Sequence, residues 1–389
     1  MREIMKNIRK MYTYAFFSNL TFELVIWMLY LKHMGWSVGQ IAMLQLVINI
    51  VQVVCELPSG IIADWLGYKT TLILGQVMCV LYGATFFVAH NHFLVFGGFT
   101  LFGLGLSLIS GTDEAIIYEA DDEQNYQKFW GRYNAIMICT IAFSNLVGGY
   151  LADISWPLVF MASIIAHLLS IMTVVVIKPK QVTADPNAPG VLKRLKSFLF
   201  SNRNYQKLIL VVAISQATAS IMYQYGSLYL SWITSFKTSG IALVLTIIEI
   251  IGAVFSVNVF KVVAKFDRLK VIFSSMIIGL LMSLFLGVSN FIIALVAFVI
   301  FSSVFEIWDT SLNAELQDIV VPQLRVTLMS FCNLITALLM ALESLFISAF
   351  SKILNIQVTF VLFGLTSMVL SLIVLGFYFK SIHENSPEA

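Results

Sequence analysis

The sequence predicts an all-α membrane protein of twelve transmembrane helices, arranged as two pseudo-symmetric six-helix bundles. Three observations carry that prediction: a surplus of apolar residues, apolar runs of spanning length along the chain, and the placement of the basic residues. Apolar residues make up 59% of the 389 and charged residues only 11%, against roughly 45–50% and 25% in soluble domains. A chain rich in Phe (31) and Met (16) and poor in charge has lipid as its main solvent. The net charge of +2 comes from basic residues scattered over many short segments and gives no sign of nucleic-acid binding, so no nucleic-acid partner is expected. Cys55, Cys79, Cys139 and Cys332 sit in apolar runs at no metal-ligand spacing. They read as small buried hydrophobes, and neither metal nor cofactor is expected.

A helix crossing a bilayer needs about 20 mostly apolar residues. Such runs lie near 11–32, 40–62, 70–89, 93–118, 133–152, 157–177, 207–232, 239–260, 271–289, 291–316, 326–350 and 355–379. The first follows a short basic segment, Met1 to Lys10, and has no small-residue cleavage site. It is therefore read as a membrane helix and not as a removed signal. With both termini cytoplasmic, 20 of the 23 Lys and Arg fall on inner segments, leaving Lys32, Lys237 and Lys352 outside. The positive-inside rule demands that bias and rejects the opposite orientation. Trp36, Trp65, Trp130, Trp156 and Trp232 fall near span ends, as an interfacial belt does. A cell membrane is the expected location.

The segment 178–206 holds Pro179, Pro186 and Pro189, then apolar residues at helical spacing among Lys193, Arg194 and Lys196. It is either a helix lying on the inner surface or a solvated basic linker. It separates an N-terminal bundle, 1–177, from a C-terminal bundle, 207–389. These halves repeat: Leu29-Tyr-Leu31 with Ile41-Ala42 answers Leu228-Tyr-Leu230 with Ile241-Ala242. Ala63 to Lys69 likewise stands opposite Ala264 to Lys270, at an offset of about 200 residues. Duplication of a six-helix unit is a common plan of secondary transporters.

Between the second and third spans, Gly60-Ile-Ile-Ala-Asp64-Trp-Leu-Gly67-Tyr-Lys69 follows Glu56-Leu-Pro58 and precedes Thr-Thr-Leu. This segment resembles the signature of the major facilitator superfamily, G-x-x-x-D-R/K-x-G-R/K-R/K, in its drug-efflux-like bacterial form. The resemblance implies a cytoplasmic latch, which maps here to Gly60, Asp64, Gly67 and Lys69, with Glu119, Arg132 and Arg325 as partners. Snorkelling to headgroups is an equal explanation of Arg132 and Arg325. Trp65 and Tyr68 replace basic residues of the pattern, and Phe99 stands where proton-coupled members carry an Arg. The fifth span keeps the small residues of the antiporter motif, Thr140, Ser144, Asn145, Gly148 and Gly149, without its proline.

Acids within spans are costly, about 2.5–3.5 kcal/mol each on insertion scales, and mark cavities by default. Polar residues recur at helical spacing: Asn19, Glu23 and Tyr30; Gln45, Asn49, Gln52 and Glu56; Gln216, Ser220, Tyr223 and Ser227; Ser302, Glu306, Asp309 and Asn313. Such stripes face each other or water; hydrogen bonding that glues helices together explains them equally. A carboxyl taken out of water binds a proton more readily, so Glu23, Glu306, Asp309 and Asp113 are the proton-coupling candidates. Asp113 lies near the cytoplasmic end, where pairing with Lys69 or Arg132 competes. Asn19, Trp27, Tyr30, Asn49, Gln52, Gln216, Tyr223, Gln224, Glu249, Trp308 and Asn333 are the substrate-cavity candidates. His167 reads as a packed histidine.

No G-x-x-x-x-G-K-S/T phosphate loop and no H-E-x-x-H pair is present, which argues against an ATPase or an intramembrane metalloprotease. A receptor-like protein is the remaining non-transport reading. The expectation is a monomeric secondary transporter that exchanges protons for a small molecule among membrane lipids, by alternating access. No Lys or Arg lies within the hydrocarbon region, so the expected activity is export of cationic or neutral amphipathic compounds, with proton-coupled import or uniport of a neutral nutrient as the alternative. If the latch operates, Asp64→Asn or a bulky residue at Gly60 impairs transport while insertion stays normal. Uptake assays on variants matched for expression check this, and unimpaired transport refutes it.

Overall fold

The computed structural model describes residues 2–88, 91–119, 123–177, 203–263, 265–288, 290–318 and 325–384. All regular structure among them is helical. The chain divides into two compact units, Met1–Asp185 with Phe236–Thr246, and Pro186–Ser235 with Ile247–Ala389. The segment at 191–200, expected as a surface helix or a linker, lies outside the described residues.

In the first unit the helices are α1 (Arg2–Ser18), α2 (Trp27–His33), α3 (Val38–Leu66), α4 (Tyr68–Thr85), α5 (His92–Ile109), α6 (Thr112–Glu119), α7 (Glu123–Ile154) and α8 (Trp156–Val175). They are followed by α9 (Arg203–Gln224), α10 (Gly226–Ile233), α11 (Thr238–Val263), α12 (Arg268–Phe285), α13 (Phe291–Asp318), α14 (Arg325–Phe350) and α15 (Ile356–Glu384). Eleven helices among the described residues are long and apolar enough to cross a membrane. The twelfth span is the discontinuous pair α1 and α2.

That break corrects the sequence reading of one helix over 11–32. The helix ends at Ser18, and Asn19 turns its amide back onto the Ala15 carbonyl at 2.8 Å, satisfying a carbonyl locally as Asn does at helix ends. Asn19, Glu23 and Tyr30 consequently do not form one helical face, because helical spacing is lost between 19 and 26. The seventh span breaks too, between α9 and α10 at Tyr225. The expected fourth span also ends early: Gly111, with φ 73°, separates α5 from the short α6. Cys139 is exposed on α7, so it is not the buried hydrophobe expected, whereas Cys79 and Cys332 are buried.

Local chemistry sets the other boundaries. Ser37 and Gln40 form a capping box at the start of α3, and Asn91 and Asp267 cap α5 and α12 through their side chains. Gly67 alone joins α3 to α4 at φ 82°, a conformation that costs little only without a Cβ.

The repeat read in the sequence reappears in the hydrogen bonds. Tyr30 donates its hydroxyl to the carbonyl of Phe86, where α4 ends, at 2.8 Å; Tyr229 donates to Leu286, where α12 ends, at 2.7 Å. Each tyrosine follows the break of its span and packs on a phenyl ring of the sixth helix in its unit. Tyr30 and Phe160 have centroids 4.7 Å apart, and Tyr229 and Phe360 5.3 Å. Lys10 donates to the Val176 carbonyl just past α8, and Lys207 to that of Phe377 within α15, so lysines at matching places reach matching helices.

Each tyrosine therefore registers a short helix against a helix end. Tyr30→Phe and Tyr229→Phe should each lower stability by about 0.5–1.5 kcal/mol, read as thermal unfolding in detergent. Tyr150→Phe, at an exposed ring, is the control and should leave unfolding unchanged.

Candidate functional site

The second unit contains a cavity of about 270 Å³ bounded by α9, α11 and α13. Its polar lining is Ser220, Tyr223, Glu249, Ser302 and Glu306, and its aromatic walls are Phe301 and Phe305. These residues come from the middle of their spans, so two carboxylates face one small space within hydrocarbon. Tyr223 donates its hydroxyl to Glu249 Oε1. Gly252 lies under Glu306: a Cβ there would stand 3.0 Å from Glu306 Cγ, so the missing side chain leaves room for the acid. Among the described residues, no Lys, Arg or His lines the cavity.

The structure thus gathers three residues expected at a cavity, Tyr223, Glu249 and Glu306. Asp309, one turn along α13, does not line it; its Oδ1 is buried without a partner, while Asn313 donates to its backbone carbonyl at 3.0 Å. Gln216 bridges Asn313 and Thr336, each at 3.4 Å, tying α9 to α13 and α14. Trp308 is fully buried against Phe301 and Phe305, and its ring fills the space over Gly279. Gln224 sits at the end of α9 with a buried, unpartnered Oε1, and Asn333 is exposed on α14. Gly252, Phe301 and Phe305 went unnoticed in the sequence, because an apolar residue on an apolar helix carries no signal.

In the first unit, Glu23 occupies the break between α1 and α2 and is 1% exposed. Ser163 of α8 donates its hydroxyl to Glu23 Oε2 and accepts the N–H of Phe22 at 2.9 Å. Glu23 Oε1 has no partner. The Phe22 carbonyl approaches α7 at Gly148, where a Cβ would lie only 1.9 Å from its oxygen. The glycine of the fifth span that fitted the antiporter motif thus has a local reason: it admits backbone that has left its helix.

Other first-unit candidates are structural neighbours of this break. Trp27 packs on Phe99, and Tyr30 on Phe86, Trp156 and Phe160. Asn19 bonds within its own chain turn, and Asn49 accepts from Gln45 at 3.1 Å. Gln52 is half-buried on α3. His167, expected to be packed alone, has its Nδ1 2.8 Å from Gln76 Oε1, and the Gln76 amide reaches the Tyr14 hydroxyl at 3.1 Å.

Of the latch residues, Lys69 donates to the Val175 carbonyl at the end of α8, where a cation also complements the helix dipole. Arg132 is exposed beside Tyr12, and Gly67 forms the turn described above. Asp113 accepts the hydroxyl of Tyr133 at 2.6 Å. Gly60 lies within α3, and the side chains of Asp64, Glu119 and Arg325 lie outside the described residues.

A family model described as Major Facilitator Superfamily matches residues 11–342. The chain belongs to the Major Facilitator Superfamily. It is accordingly an integral membrane transporter of small molecules, as the signature from Gly60 to Lys69 implied, and not an enzyme. Within this superfamily it is 25% identical, over 309 residues, to a quinolone resistance protein, NorA, of Staphylococcus aureus (strain MRSA252). That match covers 76% of this chain and 78% of the relative. It is also 25% identical over 200 residues, 50% of each chain, to the uncharacterized MFS-type transporter YxaM of Bacillus subtilis (strain 168). Among solved structures, a mutant of the nucleoside transporter NupG superposes with a TM-score of 0.80 at 13% identity, covering 97% of this chain and 100% of that one. A D-xylose–proton symporter superposes with a TM-score of 0.74, also at 13% identity, over 95% and 96%. At that identity the two structures share the fold, and twelve spans in two six-helix halves agree with it.

Since Gly148 is the point where α7 yields to the broken span, Gly148→Ala should depress transport severalfold and lower thermal stability. Gly131→Ala, at a glycine of the same helix with nothing within 4 Å of an added Cβ, should do neither. Ser163→Ala should cost about 1–3 kcal/mol by leaving the Phe22 N–H unpaired, measured as a lowered unfolding midpoint in detergent.

Proposed function

We propose that this transporter exports amphipathic cationic or neutral small molecules in exchange for protons. The observation that carries the reading is the cavity of the second unit, with two carboxylates, two phenyl rings and, among the described residues, no basic side chain in its lining. A carboxylated or phosphorylated solute brought there lacks a cationic clamp and loses several kcal/mol of hydration unpaired. A lipophilic cation meets Glu249 and Glu306 and gains about 0.5–2 kcal/mol from each well-placed aromatic face.

The same geometry gives coupling a physical form. One carboxylate in low dielectric is neutralised either by a proton or by a bound cation, so the two compete for Glu306 and exchange across the cycle. Asp309, one turn away, adds a second acid whose charge state depends on the first. Glu23 is the corresponding acid of the first unit, held by Ser163. Relatives named for quinolone resistance support the outward direction, because a cell resists a compound that it keeps out. The bias of 20 inner to 3 outer basic residues supports cytoplasmic termini for both ends.

Import of a neutral polar solute is the second reading, favoured by the hydroxyls of Ser220, Tyr223 and Ser302 in the same lining. Ethidium separates the two. Cells overproducing the protein should accumulate less of the dye than control cells, and Glu306→Gln should restore accumulation, since losing one buried ion pair costs about 2–5 kcal/mol. A protonophore should abolish the difference. Purified protein that binds only anionic solutes would overturn the proposal, and export untouched by the protonophore would remove its proton term.

A further inference from the structure

One acid of the second unit takes no part in the site above. Glu343 lies on α14, and the sequence marks it only as a carboxyl within a span. In the structure it stands at the base of a separate cleft of about 240 Å³. Helices α14 and α15 both pack along α9 and touch each other far less, so a wedge opens between them with α9 as its floor. Ile214 of α9 closes the bottom, and Phe346 and Phe363, in contact with centroids 6.2 Å apart, form one apolar end. The mouth is made by Leu342, 61% exposed, with Thr366 and Leu370 opposite. On a span, such exposure is exposure to acyl chains, so this cleft opens sideways into lipid. None of its lining residues is shared with the cavity of Glu249 and Glu306.

At the base, the Thr218 hydroxyl of α9 lies 3.0 Å from Glu343 Oε1 and 2.8 Å from the Ile214 carbonyl, so two acceptors share its one proton. Oε2 is buried with no hydrogen bond of its own, and Ser367 of α15 is the neighbouring hydroxyl on the same carboxyl. A buried carboxylate oxygen left unpaired is costly, and an acyl chain filling the wedge supplies no donor. A protonated amine supplies both a donor and the opposite charge, the strongest type of hydrogen bond available there. The apolar end then receives the carbon atoms next to the amine. The cleft is smaller than the roughly 300–1,000 Å³ of a drug-sized site, so it holds the head of a ligand whose remaining body stays among the lipids.

We propose that the cleft between α14 and α15 is a second binding site, which takes an amphiphilic amine directly from the bilayer with its ammonium on Glu343. It differs from the export site in position and in route of entry, and its test reads binding alone, so it stands or fails apart from the export reading.

The experiment uses the full chain in lipid nanodiscs, carrying Glu249→Gln and Glu306→Gln to remove the carboxylates of the first cavity. The probe is a tritiated alkyl chain ending in a primary amine, and binding is read as saturable retention above that of empty nanodiscs. Saturable binding should persist in this background and be at least roughly tenfold weaker after Glu343→Gln, as expected when one partner of a buried charge pair is removed. The N-acetylated twin of the probe, which has no charge, should bind as weakly as that variant. Leu342→Trp, which plugs the lipid-facing mouth and leaves the acid in place, should weaken binding similarly and decides the matter if Glu343→Gln does not fold. Absence of saturable binding in the background, unchanged binding in the Glu343→Gln or Leu342→Trp variant, or equal binding of the two probes overturns the proposal.

Discussion

Backbone that leaves a helix inside a bilayer finds no water, so the protein itself must satisfy every N–H and C=O that the break exposes. That constraint organises the first unit. The chain leaves helical geometry between 19 and 26, and the surrounding side chains answer it one group at a time. Asn19 serves the Ala15 carbonyl, Ser163 accepts from the Phe22 amide, and Gly148 lets the Phe22 carbonyl approach another helix. Tyr30 then fixes the short helix beyond the break to the end of α4. Polar residues that are scattered in the sequence thus belong to one local requirement.

The second unit meets a milder version of the same constraint. Its break is confined to Tyr225, and Tyr229 repeats the role of Tyr30. At the offset of 200 residues that relates Ile41-Ala42 to Ile241-Ala242, Asn49 stands opposite Glu249, and Gln52 opposite Gly252. The first unit has an amide where the second has an acid, and a side chain where the second has none. One half is accordingly closed around a buried carboxyl, and the other holds an open cavity with its carboxylates on the wall. Duplication supplied equal scaffolds, and a few substitutions at matched positions gave them different chemistry.

This division also explains why acidic residues with similar sequence signals have different surroundings. Glu306 has Gly252 beneath it and a cavity before it. Asp309, three residues on, points elsewhere and buries an oxygen without a partner. Glu343, on another helix, sits at the foot of a lipid-facing wedge. Each is an acid on an apolar helix, and only the neighbouring helices distinguish them.

The sequence by itself determined the class of protein, the number of spans, the duplication and the superfamily, because those follow from hydropathy, charge placement and a contiguous motif. It also named Tyr223, Glu249 and Glu306, since a polar side chain is conspicuous where lipid is the solvent. The break in the first span escaped it: an apolar run scores alike whether or not its backbone is continuous, and the acceptor that makes the break tolerable, Ser163, lies 141 residues away from Phe22. Gly252, Phe301 and Phe305 escaped for a related reason, since what makes a wall of an apolar residue is the space in front of it. The tertiary structure decided which polar groups share a cavity and which are spent on backbone, because both depend on helices brought together from distant parts of the chain.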